Sequence, residues 1–131
     1  MTIHVQPRET GGFHYTATLE GHALPLDMPA PQGDGPDPHD YFDAALGGCK
    51  ALTLMVYAKG HGIPLEGVDV QVARDQTDER RGEYRLAVKL KLQGPLSDEQ
   101  VATLLAVADR CPIHKLMTTT SIAITTEGGR A

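Results

Sequence analysis

"PDPHDYFDAALGGCKALTLMVYAKGHGIP", residues 36 to 64, decides the fold. It reads as one long helix. Asp37 is a good N-cap, Pro38 suits the first helical position, and Asp40 sets a carboxylate in the first turn, where it complements the helix dipole. The expected stop is near Ala58, before Gly60, Gly62 and Pro64. On the wheel Phe42, Ala45, Leu46, Cys49, Leu52 and Val56 form one apolar stripe, with Tyr41, Ala44, Ala51 and Met55 beside it. Asp43 and Lys50 keep only a thin polar strip, and Lys50 reads as a solvated charge. A helix apolar nearly all round is buried on several sides, so it is expected to run through the middle of the structure or of a dimer. Gly47 and Gly48 each cost a helix roughly 1 kcal/mol relative to Ala. Either something packs close to the backbone there, or something must reach Cys49.

Upstream, "IHV" (3 to 5), "FHYTATL" (13 to 19) and "HALPL" (22 to 26) read as short strands, with Glu20-Gly21 as a hairpin turn. "PAPQGDGPDP" (29 to 38) is a loop by composition. Downstream, "VDVQV" (68 to 72) and "YRLAVKLKL" (84 to 92) alternate strictly, turning Val68, Val70, Val72, Tyr84, Leu86, Val88, Leu90 and Leu92 to one face. The polar "RDQTDERRG" makes them a hairpin with a long tip. A second helix opens on the capping box Ser97-x-x-Gln100 and is expected to end near "DRCPIHK", because Pro112 disfavours helix at Cys111. A last strand, "TSIAITTE" (120 to 127), closes the chain. The order βββ-α-ββ-α-β defines an α+β fold with a mainly antiparallel sheet, a single domain over residues 1–131.

A chain of 131 residues can bury roughly two-thirds of the surface its unfolded form exposes, enough for one core. With few aromatic residues and no Trp, that core is largely aliphatic. A net charge of -5, with no basic cluster beyond "ERR" (79 to 81), argues against nucleic acid and anionic membranes as main partners. The N-terminus lacks a basic segment leading into an apolar run, and no stretch is apolar enough to span a bilayer. A cytoplasmic protein with reduced cysteines is the expectation.

The chemistry rests on those cysteines, Cys49 and Cys111, the only two in the chain. Leu104, Ala108 and Cys111 follow helical spacing, so Cys111 is expected on the core side at the second helix's C-terminal end, and Cys49 on the buried stripe of the first. Two buried thiols can be simple packing, since free Cys behaves as a small hydrophobe. They can also carry a cycle: one thiolate attacks a peroxide to give a sulfenic acid, and the other condenses with it to a disulfide. A thiolate at neutral pH needs a nearby cation or donor. Arg8 is a candidate, while Arg110 and Lys115 are as readily ordinary helix-end cations. His4, His14, His22, His61 and His114 show no paired metal spacing and read as surface or strand residues, with His114, three beyond Cys111, the one to watch. Neither a metal nor a cofactor is expected.

Residues 35 to 72, containing "ALGGC", and 96 to 117, containing "CPIH", resemble the OsmC/Ohr family of hydroperoxide-detoxifying proteins. The resemblance implies an OsmC-like fold around a long buried central helix, in an intertwined homodimer with active sites at the subunit interface. It implies that Cys49 is the peroxidatic cysteine and Cys111 the resolving one, re-reduced by a dithiol, lipoyl-linked in characterised relatives. Peroxidases of this family carry a Glu ten residues before the reactive Cys, paired with an N-terminal Arg. Here that position is His39, followed by Asp40. Asp40 with Arg8, or a neutral His39 hydrogen-bonding the thiol, are the replacements available; equally, Asp40 is a first-turn carboxylate and His39 an exposed helix-start residue.

Two functions follow. One is a thiol-dependent peroxidase for organic hydroperoxides, with an aliphatic pocket expected from residues such as Leu46, Met55 and Ile113. The other is a non-catalytic protein that binds a small apolar ligand at the dimer interface, its cysteines merely packed.

Overall fold

In the computed structural model, which describes all of residues 1–131, eight elements follow in order: β1 (His4–Pro7), β2 (Tyr15–Leu19), β3 (His22–Leu26), α1 (Pro38–Gly60), β4 (Gly67–Asp75), β5 (Arg85–Gln93), α2 (Asp98–Val107) and α3 (Pro112–Thr118). Short 3-10 turns occupy Glu79–Arg81 and Ala108–Arg110. The fold is α+β with two antiparallel sheets. No helix is long and apolar enough to cross a membrane. The chain forms two compact units, residues 1–44 and 45–131, and α1 begins in the first and continues in the second.

The first unit is built on the β1-β2-β3 sheet, with Val5 opposite Ala17 and Ala17 opposite Leu24. Glu20 and Gly21 both adopt positive φ (41° and 84°), as a two-residue hairpin turn requires, and Gly21 does so without a Cβ to strain. The Pro/Gly-rich loop is organised from one side chain. Asp27 accepts hydrogen bonds from the amides of Met28 (2.7 Å) and Asp34 (3.0 Å), and its own amide donates to Pro36 O (3.1 Å). At the start of α1 the expected cap is a reciprocal box. Asp37 Oδ1 accepts from the Asp40 amide (3.1 Å) and Asp40 Oδ2 from the Asp37 amide (2.9 Å). The Tyr41 hydroxyl donates to Pro25 O.

In the second unit β4 and β5 pair from Gly67–Gln93 to Asp75–Arg85, and the alternation read from sequence is seen, one face half-buried and the other exposed. Leu54, Ala58, Leu65, Leu104, Val107 and Ala108 form the core, against which Val68, Leu90 and Leu92 of the hairpin pack. Gly47 answers half of the glycine question. A Cβ there would lie 3.0 Å from Val72 Cγ2 and 3.6 Å from Val70 Cγ1, so its absence lets α1 approach β4. A Cβ on Gly48 would meet nothing within 4 Å. Ser97 caps α2 with the expected box, Oγ accepting from Gln100 N (3.1 Å) and Ser97 N donating to Gln100 Oε1 (3.0 Å).

Three expectations are corrected. The buried row of α1 is Leu46, Lys50, Leu54 and Ala58, at successive i+4 positions, whereas Leu52 and Val56 are 68% and 73% exposed. Lys50, read as solvated, is 2% exposed, and Asp43 is buried too. The physical reason is that a helix apolar on all sides has no single preferred face, so tertiary partners choose it. Second, residues 120 to 131 form no strand; no neighbouring strand edge pairs with them, and Ile122 and Ile124 stand exposed. The observed order is therefore βββ-α-ββ-α-α. Third, Cys111 does not end α2. It is the N-cap of α3, with Pro112 at the first helical position, where a residue lacking an N–H is at home.

Candidate active site around Cys49 and Cys111

Cys49 and Cys111, 62 positions apart in sequence, meet within the second unit. Helix α1 presents Cys49 half-buried, its Sγ 3.9 Å from the Thr53 hydroxyl one turn on. The break between α2 and α3 presents Cys111, which is 0% exposed. Cys111 Sγ accepts a hydrogen bond from the His114 amide (3.3 Å), and the Cys49 thiol lies within hydrogen-bonding reach. Both are free thiols.

Lys50 follows Cys49 on the helix but turns about 100° from it, into the protein. Its Nζ donates to Ala108 O (3.0 Å), Asp109 Oδ1 (3.1 Å) and His114 Nδ1 (3.0 Å), which uses all three ammonium protons. An ammonium has no acceptor, so in this contact Lys50 is the donor and His114 Nδ1 the acceptor. The electrostatics of Cys111 follow from these neighbours. Burial pushes its thiol above the ordinary value and the Cys49 thiol adds to the rise, while the His114 amide and the Lys50 charge oppose it.

Cys49 opens onto an apolar groove of about 930 Å³, walled by Leu52, Val56, Tyr57, Val107 and Pro112, with His61 and Arg110 as its basic residues. Tyr57 and His61 stack, with ring centroids 3.9 Å apart. The expected lining by Leu46, Met55 and Ile113 is not seen; Leu46 is buried and Met55 packs on the core, because the face of α1 turned inward is not the one the wheel favoured. Sequence reasoning also missed Thr53, which only i+4 spacing from Cys49 signalled, and the role of Lys50.

The other candidates lie in the first unit. His39 Nδ1 is 3.8 Å from Asp37 Oδ2, and Asp40 closes the helix cap on that same residue. The Arg8 amide donates to His14 O (2.9 Å) just after β1. Of the remaining histidines, His14 bridges two carboxylates, bonding Glu9 through Nδ1 and Asp27 through Nε2 (3.1 Å). His4, His22 and His61 are exposed. No three His, Cys, Asp or Glu side chains converge as metal ligands.

The family model for the OsmC-like protein matches residues 31–127, and the chain belongs to that family. Among solved structures it is similar to an OsmC-like protein of Mycoplasma pneumoniae, at 21% identity and a TM-score of 0.69, covering 90% of this chain and 86% of that one. It is also similar to an organic hydroperoxide resistance protein of Bacillus subtilis, at 25% identity and a TM-score of 0.61, over 91% and 92% of the two chains. A third likeness is to the organic hydroperoxide resistance protein OsmC of Legionella pneumophila, at 23% identity and a TM-score of 0.62, over 91% and 90%. No curated protein matches in sequence.

Proposed function

We propose that the protein is a thiol-dependent peroxidase acting on organic hydroperoxides. The observation that carries this reading is the placement of two thiols in series, a half-buried one on an apolar groove and a fully buried one behind it. Cys49 attacks the distal peroxide oxygen, the O–O bond breaks, and the alcohol leaves with the thiol's proton. The sulfenic acid left on Cys49 condenses with Cys111 to a disulfide and water, and an external dithiol, lipoyl-linked or similar, restores both thiols. The walls of the groove favour alkyl and aryl hydroperoxides over hydrogen peroxide. Similarity to organic hydroperoxide resistance proteins supports the substrate class.

The working form is a homodimer. The exposed Leu52 and Val56, with Gly48 one turn before them on the same stripe, offer a surface for a second copy of the chain. In that assembly Arg8 with Asp40, or His39, supplies the group that steadies the Cys49 thiolate. A second reading, a non-catalytic binder of a small apolar ligand, draws on the same groove and on the engagement of Asp40 Oδ2 by the helix cap.

Turnover with cumene hydroperoxide and a dithiol separates the two. The peroxidase reading expects Cys49→Ser to abolish turnover and Cys111→Ser to consume one equivalent and stop at the sulfenic acid. Turnover by Cys49→Ser at the unmutated rate would end it, and no turnover by any form would leave the binder.

A further inference from the structure

Lys50 is the one cation buried in this protein, and its three partners sit on both sides of Cys111: Ala108 and Asp109 before it, His114 after it. That stretch is a break between two helices. Helix α2 has ended at Val107, a single 3-10 turn follows, and Pro112 contributes no amide hydrogen. Lys50 itself is fixed on α1, one residue from Cys49. A side chain anchored beside one thiol therefore grips the segment that carries the other.

We propose that Lys50 is a positioning residue for disulfide closure: its ammonium holds the Ala108–His114 turn so that the buried Cys111 thiol faces Cys49. The proposal rests on the peroxidase reading and adds to it the residue that governs its second step. In that step the Cys111 sulfur forms the S–S bond while the S–OH bond of the Cys49 sulfenic acid breaks. The departing hydroxide takes up a proton, equivalent to the one Cys111 gave up on ionising, and leaves as water. Cys111 sulfur is oxidised and the sulfenic sulfur reduced, so no outside oxidant enters. Holding two reacting sulfurs in line is worth a large rate factor, and small displacements forfeit it. The Lys50 charge also favours the negative charge that gathers on Cys111 as it attacks.

The contacts of Lys50 name the variants. Lys50→Met keeps length and apolar volume and removes the grip. Lys50→Arg keeps a cationic donor. His114→Ala removes one anchor from a side chain only partly buried, and it serves if Lys50→Met does not fold.

Closure is measured without any hydroperoxide by treating the full-length protein with 4,4′-dithiodipyridine. Cys49 forms a mixed disulfide and releases one thiopyridone; Cys111 then displaces the second as the Cys49–Cys111 disulfide closes. The quantity read is the ratio of the second rate constant to the first. Lys50→Met is expected to lower it about tenfold, with Lys50→Arg restoring it to within about threefold of the unmutated protein and His114→Ala lowering it about threefold. An unchanged ratio in Lys50→Met, or in His114→Ala when the former does not fold, would overturn the proposal. So would an Arg variant as slow as the Met variant, which would make the role one of packing. Because the reagent replaces the peroxide, loss of the peroxidase reading shows as failure to consume hydroperoxide and leaves this ratio measurable.

Discussion

Burial raises the pH at which Cys111 loses its proton above that of an exposed cysteine, and this sets a pH dependence. Its sign is direct. The attacking species is the thiolate, whose fraction grows with pH until the raised value is reached, so closure keeps accelerating beyond the range where an ordinary thiol levels off. The lifetime of the Cys49 sulfenic acid, followed by dimedone trapping after one equivalent of hydroperoxide, is expected to shorten by up to about tenfold per pH unit. A lifetime independent of pH would mean that Cys111 is not the attacking group. The two cysteines were legible in the sequence as a pair, and the tie between them was not. Lys50 reads as a surface charge because the whole helix is apolar and the wheel has no outside. The row Leu46, Lys50, Leu54, Ala58 was present at i+4 spacing, but only the packing of β4, β5 and α2 against it identifies it as the inward row.

At the scale of elements, close approach of α1 to β4 depends on Gly47. Val72 is β-branched and held in a strand, so it cannot swing clear of a new methyl group. Overpacking of this kind costs roughly 1–3 kcal/mol, against which the better helix propensity of Ala returns about 1 kcal/mol. Gly47→Ala is thus expected to lower stability by up to about 2 kcal/mol in a denaturant titration, and a gain would contradict the packing described. In the first unit His14 links the β1–β2 turn to the loop that Asp27 organises. The hydrogen bond to Glu9 raises its pKa above 6.5, and the charges of Asp27 and Glu9 raise it further. The protonated form is the one the fold favours, so the link is complete below the ordinary value of 6.5 and is lost as pH rises through the higher one. Asp27 is held below its ordinary range, first by the Asp34 and Met28 amides, so its share fails only as pH falls through that lower value. An NMR titration is expected to place the His14 midpoint above 6.5, and Asp27→Asn to move it down without restoring it fully, since Glu9 remains. Hairpins and caps in both units were readable because they rest on local chemistry: Glu20-Gly21, the Asp37 N-cap, the Ser97–Gln100 box. Helix α3 was not, because Pro112 reads equally well as the end of one helix and the first residue of the next.

For the molecule as a whole, the apolar surface left by one chain is the informative quantity. Leu52 and Val56 on α1, and Ile122 and Ile124 after α3, are exposed large hydrophobic residues in a chain whose core is small. The terminal "TSIAITTE" has the alternation of a strand without an edge to pair with, a pattern that a second copy can complete. The proposed homodimer is expected to sediment at twice 14.1 kDa, and the double variant Leu52→Glu, Val56→Glu near 14.1 kDa. An unmutated protein that sediments as one chain would remove the dimer from the account. The central claim is nevertheless the chemistry of the thiol pair, and mass spectrometry of the intact protein after one equivalent of cumene hydroperoxide tests it most directly. The account predicts rapid loss of two hydrogens, mapped by peptide digestion to a Cys49–Cys111 disulfide, with hydrogen peroxide much slower. Two thiols still reduced after the hydroperoxide has been given time to react would contradict it.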